Sequence, residues 1–295
     1  MMTEFKGIYP ALMTPFDAGG NVDRAALRRL VRMNMKKGVN GFYVCGSTAE
    51  VFLLTGAQRM EILETVMAEV NHALPVIAHV GCISQAQAEE LACHAARLGV
   101  DAVSSVPPFY YPFTAEEIRR YYLTLADAAK KPVLIYNIPG YSGVRLTVED
   151  LRPLLEDGRF LGVKHTSSDF FMLERMRRIR SDLVVMNGLD EMFLAGLSMG
   201  ADGGIGSTYN FMAEKFVAMY RLFQAGRMRE ALKIQGQVNA VVETLLSLGL
   251  MAAEKEALCL MGICSSACMR PFGGLSDDQR SILKKALSDN ECLCD

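Results

Sequence analysis

One lysine of the chain stands where a side-chain amine could act as a nucleophile. Lys164 ends the apolar run Phe160-Leu161-Gly162-Val163. The other ten lysines lie in polar, helical or terminal surroundings: Lys6, Lys36, Lys37, Lys130, Lys131, Lys215, Lys233, Lys255, Lys284 and Lys285. Apolar walls disfavour the charged ammonium form, and a neutral amine attacks ketones. Position alone fits equally well a strand-end lysine whose ammonium group extends to solvent.

A tyrosine ends the apolar run that precedes this lysine. Tyr136 lies within Val133-Leu134-Ile135-Tyr136-Asn137, and strand ends that are neighbours in a parallel sheet approach one another. A phenol next to the amine of Lys164 could carry protons during a reaction at that amine. Taken alone, Tyr136 is more often a packing aromatic whose hydroxyl finds a backbone partner.

Three further strand ends carry polar groups. Gly46-Ser47-Thr48-Ala49-Glu50 combines small residues with two hydroxyls, which suits a carboxylate but is also typical of plain turns. Asp190-Glu191 and Ser207-Thr208 end two later strands and would suit a ligand with many hydroxyl groups. The residues alone favour a simpler interpretation of Asp190 and Glu191, in which they begin the next helix, because acidic side chains are favourable at the positive N-terminal end of a helix.

The elements that must position these residues are short apolar strands alternating with amphipathic helices. We count eight such units, with strands at residues 8–13, 41–44, 76–79, 102–105, 133–137, 161–164, 184–187 and 203–207. Eight units of this kind predict an α/β fold, a (β/α)8 TIM barrel, whose chemistry lies at the C-terminal ends of the strands. Capping boxes are predicted at Thr55 with Gln58, Ser84 with Gln87, and Thr114 with Glu117.

After the eighth unit the pattern becomes wholly helical, over residues 227–248, 251–264 and 276–288. We therefore predict two parts. Residues 1–225 form the barrel catalytic domain, and residues 226–295 form a C-terminal helical extension packed on the barrel.

Composition narrows the class of protein. The 295 residues are 51% hydrophobic, and 31 Lys+Arg against 33 Asp+Glu give a net charge of −2, so no broad positive field favours nucleic acid. The first residues lack the order of a secretory signal, and no apolar stretch is long enough to span a membrane, so a cytoplasmic protein is expected. The eight cysteines fit no zinc-binding spacing, and we expect reduced structural thiols and no metal.

Together, three of these motifs resemble a known family. Gly46-Ser47-Thr48-Ala49-Glu50, Tyr136-Asn137-Ile138-Pro139 and Gly162-Val163-Lys164, in this order and spacing, are similar to the class I pyruvate-dependent aldolases of the dihydrodipicolinate synthase and N-acetylneuraminate lyase superfamily. Residues 78–82, 108–113, 187–191 and 200–210 are closer to the lyase branch. The synthase branch has an arginine shortly after the Asn-x-Pro turn, where this chain has Gly140-Tyr141-Ser142-Gly143.

The resemblance implies a role for each matching residue. Lys164 would form a Schiff base with the keto carbon, Tyr136 would relay protons, and Ser47 and Thr48 would hold the carboxylate. Tyr110 matches a tyrosine that the family supplies from a neighbouring subunit to the proton network. The positions that match the binding site of the sugar tail are Thr166, Gly188, Asp190, Glu191 and Ser207.

The implied reaction is reversible cleavage of N-acetylneuraminate (sialic acid) to N-acetylmannosamine and pyruvate. The resemblance implies no cofactor beyond the covalent Schiff base through Lys164, a homotetramer, small-molecule partners only, and neither nucleic acid nor membrane. An alternative is a related pyruvate-dependent aldolase or synthase acting on another 2-keto sugar acid, of the 2-keto-3-deoxygluconate aldolase or 4-hydroxy-tetrahydrodipicolinate synthase type. A binding protein that lost activity is disfavoured because both Lys164 and Tyr136 are present.

Overall fold

A computed structural model describes residues 4–292; residues 1–3 and 293–295, including Cys294, lie outside the described residues. Between residues 4 and 292, eight parallel strands form one sheet in the order β1-β8-β7-β6-β5-β4-β3-β2. A parallel bridge between Ala11 and Tyr43 links β1 to β2, so the sheet returns on itself. The predicted (β/α)8 TIM barrel is confirmed. The strands are β1 (Gly7–Pro10), β2 (Phe42–Val44), β3 (Val76–His79), β4 (Ala102–Ser105), β5 (Val133–Asn137), β6 (Phe160–His165), β7 (Val184–Asn187) and β8 (Gly203–Gly206).

Helices connect the strands and continue beyond the last one. They are α1 (Arg24–Lys36), α2 (Gly56–Val70), α3 (Gln85–Arg97), α4 (Ala115–Ala129), α5 (Pro139–Ser142), α6 (Val148–Leu155), α7 (Phe170–Arg177), α8 (Phe193–Ser198), α9 (Tyr209–Gln224), α10 (Met228–Leu248), α11 (Leu250–Leu260) and α12 (Asp277–Asp289). Short 3-10 helices occupy Ser47–Ala49, Val51–Leu53 and Asp190–Met192. All three lie after the C-terminal ends of strands, where the sequence predicts the site.

The strand side chains divide between two buried clusters. In β5, Val133 and Ile135 pack in the large cluster that joins the strands to the helices. Leu134 and Tyr136 belong to a smaller cluster that also contains Ile205 of β8. Because successive side chains of a strand point to opposite faces, the smaller cluster is the interior of the barrel. An inward position near a strand end therefore faces the mouth of the barrel.

Most predicted element bounds agree with the structure, and two differ for clear reasons. The first strand ends at Pro10 rather than at residue 13. The amide of Ala11 still donates to Gly206 of β8, but Leu12 N donates to the carbonyl of Tyr43, and Met13 N donates to Asn210 Oδ1 at 3.0 Å. Helix α11 ends at Leu260 rather than at residue 264. Gly262 has a positive φ of 70° there, which ends the helical path.

Helix caps were predicted with one error. Reciprocal capping boxes are present at Thr55 with Gln58 and at Thr114 with Glu117. At the start of α3, Ser84 accepts a hydrogen bond from the Gln87 amide, but the reciprocal bond is not formed, so this cap is one-sided. Further capping boxes that the sequence analysis missed begin α6, at Thr147 with Asp150, and α12, at Ser276 with Gln279.

The C-terminal helices pack on the barrel. Helix α10 contacts α9, α11, α12 and the 3-10 helix Asp190–Met192. In the described residues, no single helix meets the length and apolarity of a membrane span; α10 and α11 meet the test only as a pair, bent by 118°. The division into a barrel domain and a helical extension stays a prediction.

A buried ion pair joins this C-terminal region to the barrel. Lys255 of α11 is fully buried, and its Nζ lies 2.9 Å from Glu50 Oε1 and donates to the carbonyl of Thr14. Glu50 Oε2 accepts a hydrogen bond from Met269 N at 2.6 Å. Lys255 and Lys215 lie in helices, as predicted, but both are buried, Lys215 with 8% of its surface exposed. Each of these lysines is buried beside a polar partner that is distant in sequence.

Replacing Lys255→Met tests how much this ion pair contributes. The change leaves the Glu50 carboxylate buried without its cation, which should cost about 3–5 kcal/mol of unfolding free energy. The matched control is Lys285→Met on α12, where the lysine is 76% exposed and pairs with Asp289, and its cost should stay below about 1 kcal/mol. Urea unfolding measures both. Equal losses of unfolding free energy in Lys255→Met and Lys285→Met would contradict a stabilising role for the buried ion pair.

Candidate active site

An extra residue in β6 turns Lys164 into the barrel. Val133 pairs with Phe160, but the next residue, Leu134, pairs with Gly162, so the register of β5 and β6 shifts by one. Phe160 packs in the large cluster toward the helices. Lys164 lies four residues after Phe160, so in a strand with regular alternation its side chain would also point toward the helices. The extra residue reverses the phase and directs the lysine into the interior instead.

Glycine is required at the centre of this irregularity. Gly162 has a φ of 150°, a conformation that residues with a side chain rarely adopt. A Cβ at this position would lie 1.8 Å from the carbonyl oxygen of Val184 on β7. The glycine of the Gly162-Val163-Lys164 motif thus permits the backbone path that orients the lysine.

Two tyrosine rings surround the amine. Lys164 is 3% exposed, and its Nζ lies 4.0 Å from the ring centroid of Tyr136 and 4.4 Å from that of Tyr43. Tyr136 and Lys164 are register partners on β5 and β6. Within residues 4–292 no carboxylate forms an ion pair with this amine. Lys164 is therefore buried against aromatic faces and does not snorkel to solvent.

Tyr43 is a site residue that the sequence analysis missed. Its hydroxyl lies 3.0 Å from Ser104 Oγ, and burial raises the pKa of Tyr43 well above its usual value, with Tyr136 adding to the effect. Tyr43 thus keeps its proton at neutral pH. The signal was present in the sequence, because Tyr43 is the middle residue of β2 between two residues that face the helices.

The predicted carboxylate site lies after β2. Ser47 and Thr48 begin a 3-10 helix, and both are partly exposed at the cavity wall. A Cβ at Gly46 would lie 2.6 Å from the Tyr43 ring, so glycine lets this loop approach the barrel interior. Glu50 follows with a left-handed φ of 59°, and its carboxylate pairs with Lys255. Ser47, Thr48 and Glu50 all line the cavity.

Asp190 is buried on the other side of the cavity. Its Oδ2 accepts hydrogen bonds from Thr208 N at 2.8 Å and Thr208 Oγ1 at 2.6 Å. Burial raises the pKa of Asp190 to about 6, because these hydrogen bonds only partly offset the loss of water. A Cβ at Gly206 would lie 1.9 Å from Asp190 Oδ1, so the glycine-rich end of β8 makes room for this carboxylate.

Two buried oxygens in this region have unused hydrogen-bonding capacity. Asp190 Oδ1 and Thr166 Oγ1 have no partner in the described residues. Gly188 allows the second of these positions, since a Cβ there would lie 1.9 Å from Thr166 Oγ1. Unpaired buried polar atoms are costly, and both of these residues line the cavity.

Nine of the ten predicted site residues line one cavity of about 520 Å³. They are Ser47, Thr48, Tyr136, Lys164, Thr166, Gly188, Asp190, Glu191 and Ser207. Residues not predicted also line it, including Phe52, Phe109 and Phe272, and Leu246, Leu250, Met251 and Glu254 from α10 and α11. The C-terminal helices therefore form part of the cavity wall.

Tyr110 is the predicted residue that the single chain does not bring to this cavity. It is 82% exposed, has a φ of 80°, and borders a separate pocket with Ser142 and Arg145. Its ring packs edge-on against Tyr111, which is also exposed. A role for Tyr110 in another subunit's site stays a prediction.

Metal ligation has no candidate in the range that the structure describes. No group of three or more His, Cys, Asp or Glu side chains in residues 4–292 is arranged to hold a metal ion. The seven cysteines in this range are free thiols: Cys45, Cys82, Cys93, Cys259, Cys264, Cys268 and Cys292.

Known proteins share this sequence and this architecture. Residues 4–290 match the model of the dihydrodipicolinate synthetase family. The chain is 41% identical over 286 residues to N-acetylneuraminate lyase of Escherichia coli, covering 96% of each protein.

Solved structures of other proteins have a similar fold and a related sequence. CdNal of Clostridium difficile, in complex with mannosamine, has a TM-score of 0.95 and 36% identity, over 98% of this chain and 100% of that one. Wild-type sialic acid aldolase of Ruminococcus gnavus has a TM-score of 0.94 and 33% identity, over 97% and 98%. The resemblance seen in the motifs is confirmed, and the chain belongs to the dihydrodipicolinate synthetase family.

Proposed function

We propose that this protein is a carbon-carbon lyase, a class I aldolase that reversibly cleaves N-acetylneuraminate to N-acetylmannosamine and pyruvate. The observation that carries the proposal is the arrangement of the cavity. The buried amine of Lys164 shares one cavity with the hydroxyl pair Ser47 and Thr48 and with the polar residues Asp190, Glu191 and Ser207. A keto acid with a long hydroxylated tail offers a partner to each of these groups. The names of the relatives support the same substrate.

Lys164 supplies the chemistry of bond cleavage. Its neutral amine attacks the C2 ketone of the open-chain sugar acid, and loss of water gives an iminium. When the C4 hydroxyl loses its proton, the C3–C4 bonding electrons move into the iminium and form an enamine. The C4 carbon leaves as the aldehyde of N-acetylmannosamine. Protonation of the enamine at C3 and addition of water then release pyruvate and the free amine.

Tyr136 is the proposed proton carrier. Its ring lies against Lys164 Nζ, and it lines the same cavity, so its hydroxyl is available to a substrate bound to that amine. In the cleavage direction it acts as a relay, taking up the proton of the C4 hydroxyl as it passes its own hydrogen to the enamine carbon. Tyr43 also contacts the amine, but its hydroxyl is bonded to Ser104 and it does not line the cavity, which makes it the poorer candidate.

The two ends of the cavity bind the two ends of the substrate. Ser47 and Thr48 hold the carboxylate through hydroxyl and backbone N–H groups. The hydroxylated tail extends toward Asp190 Oδ1 and Thr166 Oγ1, whose hydrogen-bonding capacity is unused within the chain. Gly188, Glu191 and Ser207 complete this end of the wall.

The same proposal covers cofactor, assembly and location. The iminium at Lys164 serves as the electron sink, so the reaction requires no metal or organic cofactor. A homotetramer in the cytoplasm would allow the exposed Tyr110 to reach a neighbouring subunit's cavity. The partners are then sialic acid, pyruvate and N-acetylmannosamine.

Pyruvate release from N-acetylneuraminate tests the function. The purified protein should release pyruvate and N-acetylmannosamine in equal amounts, and Lys164→Met should abolish release because no iminium forms. Lys285→Met, on the surface of α12, is the control and should retain wild-type rates. Faster release from 2-keto-3-deoxygluconate would instead favour the related sugar-acid aldolase. Binding of sialic acid with no release from any of these keto acids would indicate a non-catalytic protein.

Tyr136→Phe tests the proton carrier. The variant keeps the ring beside Lys164 and removes only the hydroxyl, so kcat for cleavage should fall about 10²–10⁴-fold while KM changes little. Tyr43→Phe is the matched control, because this ring also contacts the amine, and we expect a loss of kcat below tenfold. Steady-state kinetics on both variants decide the assignment. A larger loss in Tyr43→Phe than in Tyr136→Phe would reverse the two roles.

A further inference from the structure

A buried glutamate of the C-terminal helices lines the cavity and has no part in the chemistry described above. Glu254 of α11 is 1% exposed, and the hydroxyl of Ser207 donates a hydrogen bond to its Oε1. No hydrogen bond from residues 4–292 reaches its other oxygen, Oε2. Because the residue lines the cavity, a bound ligand is the partner available to that second oxygen.

The neighbouring charges of α11 are engaged elsewhere. Lys255 pairs with Glu50, and Glu256 pairs with Arg280 at 2.9 Å. Glu254 itself has no ion pair in the part of the chain that the structure describes. A buried carboxyl group that contacts only one hydroxyl, at a cavity wall, is not explained by the stability of the helix.

The contact also fixes how Ser207 can bind a ligand. A serine hydroxyl has one hydrogen and two lone pairs. Since Ser207 gives its hydrogen to Glu254, it can only accept from a substrate. The substrate atom that meets Ser207 must therefore be a donor, such as a sugar hydroxyl.

We propose that Glu254 is a specificity-determining residue, which holds the Ser207 hydroxyl as an acceptor and uses its own second oxygen to contact the hydroxylated tail of the substrate. This inference rests on the proposed function and identifies a residue that neither the motifs nor the reaction pointed to. It assigns Glu254 to binding of the tail, remote from the bond that breaks at Lys164.

The protonation state of Glu254 gives the contact a pH dependence. Burial, with a further contribution from Asp190, raises the pKa of Glu254 to about 8, although the Ser207 hydrogen bond and Lys255 oppose the shift. At neutral pH the group is then mostly a neutral acid, which can donate to a sugar hydroxyl. Above pH 8 it becomes a carboxylate and loses that hydrogen. The titratable and charged groups around it are Lys164, Asp190, Glu191, Glu50, Lys255 and Cys268.

Kinetics of Glu254→Leu and Glu254→Gln against pH test the proposal. In the wild type, KM for N-acetylneuraminate should rise above about pH 8 while kcat follows a separate profile. Glu254→Leu should raise KM about tenfold at pH 7, because the hydrogen bonds of a buried group are lost. Glu254→Gln should have a KM close to that of the wild type at pH 7, because an amide can still donate a hydrogen bond. Its KM should not rise above pH 8, because an amide does not titrate. Any change in KM caused by titration of Asp190 should occur near its pKa of about 6, and so should be distinct from the rise above pH 8.

Two controls separate binding of the tail from damage to the fold. Glu256→Gln changes a buried acid two residues away that does not line the cavity, so its KM should match the wild type. Inhibition by pyruvate, which has no tail, should be equal in all variants. The role of Glu254 would be contradicted, and the proposed function left intact, if KM were unchanged in Glu254→Leu. The same would follow if this variant bound pyruvate as much more weakly as it bound N-acetylneuraminate. A wild type that releases no pyruvate from sialic acid would overturn the proposed function as well.

Discussion

The geometry of this cavity depends on one extra residue in β6. The shift of register between β5 and β6 reverses the alternation of the strand, and Lys164 points inward because of it. Only glycine fits at position 162, where φ is 150° and the Val184 carbonyl occupies the space of a side chain. A regular strand with the same residues would direct the amine toward the helices. The proposed Schiff base therefore depends on a backbone irregularity.

The barrel and the C-terminal helices contribute different parts of the cavity. Strands supply the reacting end, with Lys164 and Tyr136 on neighbouring strands. Helices α10 and α11 supply part of the wall, including Glu254. The ion pair of Lys255 with Glu50 connects these parts, because Glu50 ends the loop that carries Ser47 and Thr48. We therefore expect substitutions in α10 and α11 to change which substrate binds, while Lys164 and Tyr136 on the strands carry out the same reaction.

Much of the fold followed from sequence, because eight short buried strands with capped helices between them admit few other arrangements. The apolar neighbours of Lys164 made it the candidate nucleophile, but they fitted a lysine that extends to solvent equally well. What the sequence analysis missed depends on tertiary position. Glu254-Lys255-Glu256 is a run of charges that the sequence places in a helix without a sign of burial, and each is buried beside a partner distant in sequence, Ser207, Glu50 and Arg280 respectively. Tyr43 could have been predicted from the alternation in β2.

The most direct test of the account is reductive trapping of pyruvate on the protein. With pyruvate and borohydride, reduction of the imine should add one pyruvate-derived group per chain, and peptide mass spectrometry should locate it on Lys164. Lys255 is an internal comparison, since it is equally buried but held by Glu50 and Thr14. A label on Lys164 that is absent in Lys164→Met is the predicted result. No adduct, or an adduct on a different lysine, would contradict the central claim.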